Sequence, residues 1–506
     1  MFQKLIRNHV LPLGTALVAA IPVAAQQPAA AAAAPPACDI DQLSPSELAK
    51  ASLSRSRAAT PKTPDEGMKA VRDAMKSIHD KSTAQNALGR DYLLGQFMIL
   101  AVEFGGEKQT RGNLNMPGEK TAVVDLIVAA DSILSMVESQ KPACKDEIGQ
   151  WREYKPYANR VAAAYAALAA KNLDSAEVSA KRAMILSKDA PQGPDVLWRA
   201  AAERKDEPNQ IKYLKLAVEK LGMGSDTSNA RIRSNLMFNL GRIQHQWAET
   251  AQGERKTAMW KGAAEAYLQV LREHPASDEA PFAVNGISVQ WALTQDTTFA
   301  SQALTVSKAQ SAKFSDMGLA QAGMLAVKLN RTIDAADLFK AATLANPYQR
   351  EYLYNYAAVL FDMKRSQEML PVVGNLLKLD PSNPDNVLLY AYAYKGLADG
   401  TTDAAMKKAL TDSVIAYSTK SDNMKHKVEI KSLDRGKDES SVEFEVENRD
   451  KAAKSFTLDV EFLDKTGTVV EKASVNIGPV APNATGKGSA SIKKGGVAGV
   501  RYAPLP

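Results

Sequence analysis

Few residues in this chain have the type and spacing to do chemistry. The two cysteines, Cys38 and Cys144, stand too far apart for a Cys-x-x-Cys redox or zinc pair. Of the histidines, His9 falls in the extreme N-terminus, leaving His79, His245, His274 and His426. None has another histidine four residues away and no His-Glu-x-x-His occurs, so nothing predicts a helix-borne zinc site. His274 precedes Pro275 and reads as a helix end. Gly222-Met223-Gly224 lacks a third glycine and a preceding strand, so it reads as a helix-ending turn rather than a phosphate cradle. There is no Walker loop and no Gly-x-Ser-x-Gly elbow. The acids and bases are numerous but spread along helices, as solvated faces are. These residues predict no catalytic group, no metal and no cofactor. They favour a binding protein over an enzyme.

The N-terminus has the three parts of a secretory signal: Lys4 and Arg7, the apolar run Val10 to Ile21, and the small residues Val23-Ala24-Ala25 before Gln26. A membrane-anchoring helix is the rival reading, but Pro12, Gly14 and Pro22 interrupt a run already short of the ~20 residues that span a bilayer. A lipid-acceptor cysteine would close the apolar run directly, whereas Cys38 follows Pro35-Pro36-Ala37. The expectation is a signal peptide over 1–25 and an Ala/Pro-rich disordered tether over 26–37. Removing Lys4 and Arg7 lowers the formal charge from +6 to +4, with no concentrated basic face of the nucleic-acid-binding kind. No later segment is apolar enough to span a membrane. An even cysteine count in an exported chain points to one disulfide, with free or intermolecular thiols as the alternative. The bridge would close a loop of about 100 residues, worth on the order of 4 to 5 kcal/mol in the chain-entropy account.

From Ser44 to Tyr417 the chain is a succession of amphipathic helices, such as Pro64 to Asp80, Ala87 to Phe104, Lys120 to Gln140 and Pro156 to Ala170. No useful strand alternation is visible before residue 427. Pro347 and Pro381 stand 34 residues apart, each after an apolar helix with an Asn or Asp stop. Counting back from Pro347 as the end of a unit places Gly323 at position eight, Ala335 at twenty, Phe339 at twenty-four and Ala342 at twenty-seven. This small-small-aromatic-small spacing resembles the tetratricopeptide repeat (TPR). The resemblance implies that Gly323 and Ala335 lie where the helices of one hairpin cross. It also implies that Phe339 fills the wedge against the next hairpin and that Pro347 and Pro381 set the turns. The unit 350–383 is looser, with Leu353, Ala357, Leu360, Val373 and Leu376, and Met369 where the family prefers alanine. A further pair, Asp385 to Leu397 and Asp403 to Tyr417, is expected to cap the array. Upstream, Trp247, Ala263, Tyr267, Val270 and Pro275 fit with the first helix extended. Ala176, Ala180, Ala183, Leu214 and Ala217 repeat the 34-residue offset.

The resemblance also implies a concave groove lined by positions two, five, nine, twelve and thirteen of each unit. These are Met317, Ala320, Met324, Val327 and Lys328, then Glu351, Tyr354, Ala358, Phe361 and Asp362, then Asp385, Leu388, Tyr392 and Lys395. The lysine and asparagine set of the chaperone-binding TPR proteins is missing, and an apolar, aromatic groove suits a bulky peptide. Met324, Tyr354, Phe361, Leu388 and Tyr392 are the expected binding residues, unless the C-terminal segment fills the groove.

Past His426 the pattern becomes short and alternating: Lys427 to Ile430, Ser441 to Glu447, Ser455 to Phe462, Val469 to Ile477 and Gly488 to Ile492, separated by turn residues. An immunoglobulin-like sandwich is expected, with Val442, Phe444, Val446, Phe456, Leu458, Val460 and Phe462 inward. Val446-Glu447-Asn448 with Val460 to Asp464, Gly467 and Val469-Val470 is similar to the FxLYD family of small extracellular sandwiches. The expected fold is thus mainly α, a TPR-type solenoid followed by a small β-sandwich. Its parts are an N-terminal helical region at 38–157, TPR-like repeats at 158–420 and the β domain at 427–506. The expected role is a periplasmic or secreted scaffold for protein or peptide partners, or alternatively an envelope spacer that packs on itself.

Overall fold

The computed structural model describes residues 38–40, 49–80, 87–222 and 227–505. The expected signal peptide (1–25) and tether (26–37) lie outside the described residues. Internal contacts divide the chain into two units, within residues 14–236 and 237–506, the division falling inside helix α10 (Thr227–Thr250).

The first unit opens with α1 (Ala49–Ala59), α2 (Pro64–Asp80) and α3 (Ala87–Gly105). Their core holds Met75, Ile78, Leu93, Phe97 and Leu100. Cys38 and Cys144 are joined as a disulfide; Cys144 is fully buried and Ile40 packs into the same core. The expected helix from Lys120 does not form over its first turns. A hairpin of β1 (Lys108–Thr110) and β2 (Val123–Asp125) occupies them, and α4 (Leu126–Gln140) starts only after it. Two causes are visible in the sequence: β-branched Val123-Val124, and Pro117-Gly118, where Gly118 has φ +97°. The Asp125 carboxylate caps α4 by accepting from the Val128 N–H at 3.2 Å. Strands of three residues are too short to leave an alternating signature. Next come α5 (Lys145–Arg152) and two hairpins, α6 (Lys155–Ala169) with α7 (Leu173–Leu186) and α8 (Gln192–Glu203) with α9 (Glu207–Leu221). Ala176, Ala180, Ala183, Leu214 and Ala217 are fully buried.

The second unit continues through α11 (Gly253–Glu273), then pairs α12 (Ala280–Thr294) with α13 (Thr297–Ala309) and α14 (Asp316–Lys328) with α15 (Thr332–Ala345). The last pairs are α16 (Arg350–Asp362) with α17 (Ser366–Leu379) and α18 (Pro384–Gly400) with α19 (Ala404–Asp422). The repeat is written into the backbone of both units. One residue in each of five hairpin turns is left-handed: Lys171, Lys205, Gln295, Asn330 and Lys364, with φ of 55° to 58°. Apart from the asparagine, these are not residues that favour that conformation, so the turns were not readable from composition.

The side chains show how the hairpins close. Tyr267 is wedged between two helices, one ring edge against Gly241 and the other against Gly286; a Cβ at either glycine would fall 2.5 or 2.6 Å from the ring. Phe339 is fully buried, and its ring lies on Gly323, where an added Cβ would fall 2.9 Å away. The expected wedge against the next hairpin is therefore seen at Tyr267, while the Phe339 contact lies within its own hairpin. Ala335 and Ala342 are buried and Pro347 is exposed at the turn. Met369 fits despite its size: it is fully buried on α17, where Val373 replaces the aromatic of position twenty-four. The upstream insertion lengthens both helices of its hairpin, since α10 has 24 residues and α11 has 21, against 13 and 14 for α14 and α15. The hairpin α12–α13 was not evident in the sequence because the single turn Ser311–Lys313 follows it and shifts the period by one.

The β domain is a sandwich of two antiparallel three-stranded sheets. One has the order β3 (His426–Arg435), β4 (Ser440–Asn448), β7 (Thr485–Ile492); the other β6 (Val469–Val480), β5 (Lys454–Leu463), β8 (Gly499–Tyr502). All seven residues expected inward are buried. Strand β8 was not anticipated; it is four residues long and pairs with Val460 to Leu463.

Phe339→Ala should destabilise the protein by roughly 3 to 5 kcal/mol, since it removes a fully buried ring from a glycine that cannot refill the space. Chemical denaturation followed at the helical signal measures this. A loss under about 1 kcal/mol would mean that the ring does not hold the hairpin.

Candidate functional site

The first helices of successive hairpins, α14, α16 and α18, carry the residues expected to line the groove. The structure brings some of them together and separates others. Phe361 on α16 and Tyr392 on α18 form a ring pair with centroids 5.2 Å apart, and they remain 38% and 36% exposed. Met324 on α14 is half-buried, and its sulfur accepts from the Asn355 amide of α16 at 3.6 Å. Leu388 is half-buried, and Ala320 and Ala358 are buried between helices. Tyr354 is half-buried, and the Arg350 guanidinium, which also donates to Asp380, lies over its ring at 4.7 Å. Two charges on these helices have no ion-pair partner among the described residues. Lys328 donates to the buried Ser288 hydroxyl at 2.8 Å, and burial pushes its pKa below the ordinary lysine value. Burial likewise pushes the Asp362 carboxyl upward.

The sandwich sits on the edge made by the turns between hairpins, and the residues before the two repeat prolines are its anchors. The fully buried Asn346 amide donates to the Asp316 carboxylate and to the Ala498 carbonyl, each at 2.9 Å. Arg435 of β3 donates to the same Asp316 carboxylate at 2.6 Å. One period later, the fully buried Asp380 carboxylate accepts from Arg350 at 2.9 Å, from Asn386 at 2.8 Å and from the Tyr502 hydroxyl. The Val428 N–H donates to the Ser382 carbonyl at 3.0 Å, and Lys427 pairs with Asp385 at 2.7 Å. These turn residues read in the sequence as helix stops. Their buried role shows only against β3 and β8.

Other candidates resolve structurally. His245 is buried edge-on to Trp260, centroids 4.6 Å apart, and burial lowers its pKa. A cleft of about 740 Å³ opens between Pro381 and β5, β6 and β8, where Glu461 binds Lys472 and Arg501 at 2.7 and 2.6 Å. Among the described residues, no three His, Cys, Asp or Glu side chains are grouped to hold a metal. No helix there is long and apolar enough to cross a membrane.

No family model and no curated protein matches the chain. Solved structures of TPR proteins do. The crystal structure of MamA is 17% identical over 33% of this chain and 90% of that one, with a TM-score of 0.24. The pilF protein of Pseudomonas aeruginosa is 12% identical over 53% and 90%, with a TM-score of 0.21. The apo form of RapI is 11% identical over 74% and 97%, with a TM-score of 0.25. Such scores carry no argument by themselves. The class, a TPR-like solenoid with a C-terminal sandwich, rests on the period, turns and packing described above.

Arg435→Met should destabilise the protein by about 3 kcal/mol, because it strips a buried carboxylate of its cation, and Asp316→Asn should recover much of the loss. Burial alone would raise the Asp316 pKa, but Arg435 and Asn346 outweigh it and hold it below the usual range. This depressed pKa means stability present above the unfolded value near 4 and lost as pH falls through the folded one. Urea titrations at pH 7 and at about pH 3 measure both effects; an unchanged midpoint in Arg435→Met would contradict the pairing.

Proposed function

We propose that this chain is an exported, non-enzymatic scaffold of the cell envelope, periplasmic or secreted. In this reading it binds protein or peptide partners along the concave face of α14, α16 and α18. The observation that carries the reading is the Phe361–Tyr392 pair, two rings on consecutive first helices, each more than a third exposed. Paired aromatics bury much area at low entropy cost, which is how interface hot spots are built. Export is supported by the tripartite N-terminal segment and by the Cys38–Cys144 bond, of a kind that persists in oxidising compartments. The sandwich, similar to the FxLYD type, serves as a brace and second contact. The dispersed charge argues against nucleic acid as a partner.

A second reading, a spacer that packs on copies of itself, draws on Met406 and Ile415, which are 57% and 59% exposed on the terminal helix α19.

The test is capture of partners from an envelope extract by the wild type, Phe361→Ala and Tyr392→Ala, with gel filtration alongside. Each variant should lose about 1 to 2 kcal/mol or more of partner affinity with little change in melting temperature. Equal loss of binding and stability would contradict the groove reading. Self-association as the sole interaction would favour the spacer.

A further inference from the structure

We propose that Lys328 is an anion subsite within that concave face, and that the segment it takes is a peptide whose aspartate or glutamate sits beside bulky apolar side chains. The inference rests on the groove reading above and goes beyond it by naming the partner's chemistry. Lys328 ends α14, one turn after Met324 on the same side of the helix. Its ammonium donates to Ser288 across the α12–α14 seam, and a hydroxyl leaves the charge uncompensated. Asp362, at the matching position of the next first helix, forms no ion pair with it. Exposed lysines elsewhere in the chain keep their hydration or find a carboxylate, as Lys395 does with Asp399 at 2.9 Å.

A half-buried cation without a counter-charge costs stability and points to a ligand that supplies one. That cost explains why burial depresses the pKa of this lysine. The surroundings choose the class of anion. Met324 lies on the same helix face, and the exposed Phe361–Tyr392 pair stands on the following first helices. An inorganic anion would use none of this apolar surface, whereas a peptide carboxylate with large apolar neighbours uses all of it.

The test is selection of a random peptide library on the purified full chain, followed by affinity measurement with synthetic peptides. Selected peptides should share an acidic residue among bulky apolar ones. Lys328→Met should weaken them about tenfold, changing the peptide acid to its amide should cost the same, and the two losses should not add. Lys328→Glu should restore binding to a peptide with lysine in place of the acid. Circular dichroism melts of both variants serve as the fold control. Peptides that depend on Phe361 and Tyr392 but carry no acid, or an acid indifferent to Lys328, would overturn this inference and leave the groove reading standing. If no selected peptide depends on Phe361 or Tyr392, both are overturned.

Discussion

A carboxylate taken out of water must be paired, and the second unit is organised around two that are. Asp380 is fully buried and Asp316 nearly so, one at the end of a hairpin and one at the start. The solenoid gives Asp380 its cation, Arg350, whereas the cation of Asp316 comes from the sandwich. Arg350, Asn386 and Asn346 come from neighbouring turns, but the closing partners, Arg435 and the Tyr502 hydroxyl, come from β3 and β8. Breaking such a pair is far more costly than never having built it, so the sandwich and the last hairpins are coupled in folding. The sandwich is therefore part of the scaffold.

That coupling decides which surface stays free. The anchors recur with the repeat, Asn346 and Asp380 each preceding a repeat proline, so a rigid β domain can grip successive turns along one edge. Apart from that edge, Phe361 and Tyr392 meet in partial exposure, and Lys328 forms no ion pair among the described residues. In the proposed reading, a surface shaped by stacked hairpins and braced along its edge is preorganised, which lowers the ordering cost of binding an extended or helical segment.

The repeat was legible where the residues that enforce it are distinctive. Gly323, Phe339 and Pro347 announce a hairpin because no other residue types satisfy that crossing so well. The α12–α13 hairpin carries Leu304 in place of the aromatic and is one residue out of period, so it passed unseen. The turns themselves left little trace, because lysine and glutamine occupy left-handed positions that packing, not propensity, imposes. Strand β8 was too short for alternation and is held by its neighbours. Tyr354 holds the template position of a groove residue, and its contact with the arginine that bridges to Asp380 was not legible from that position. The anchors Asn346 and Asp380 were visible only as helix stops, since their sandwich partners lie more than a hundred residues away.

The most direct test places a photoreactive phenylalanine at position 392, or at Leu344 on α15 as a 76% exposed control, in cells that make the protein. The account predicts that irradiation joins a partner protein to position 392 and leaves position 344 unjoined. Equal adducts at both positions, or a 392 adduct to the chain's own residues 427–505, would contradict an open, partner-binding concave face.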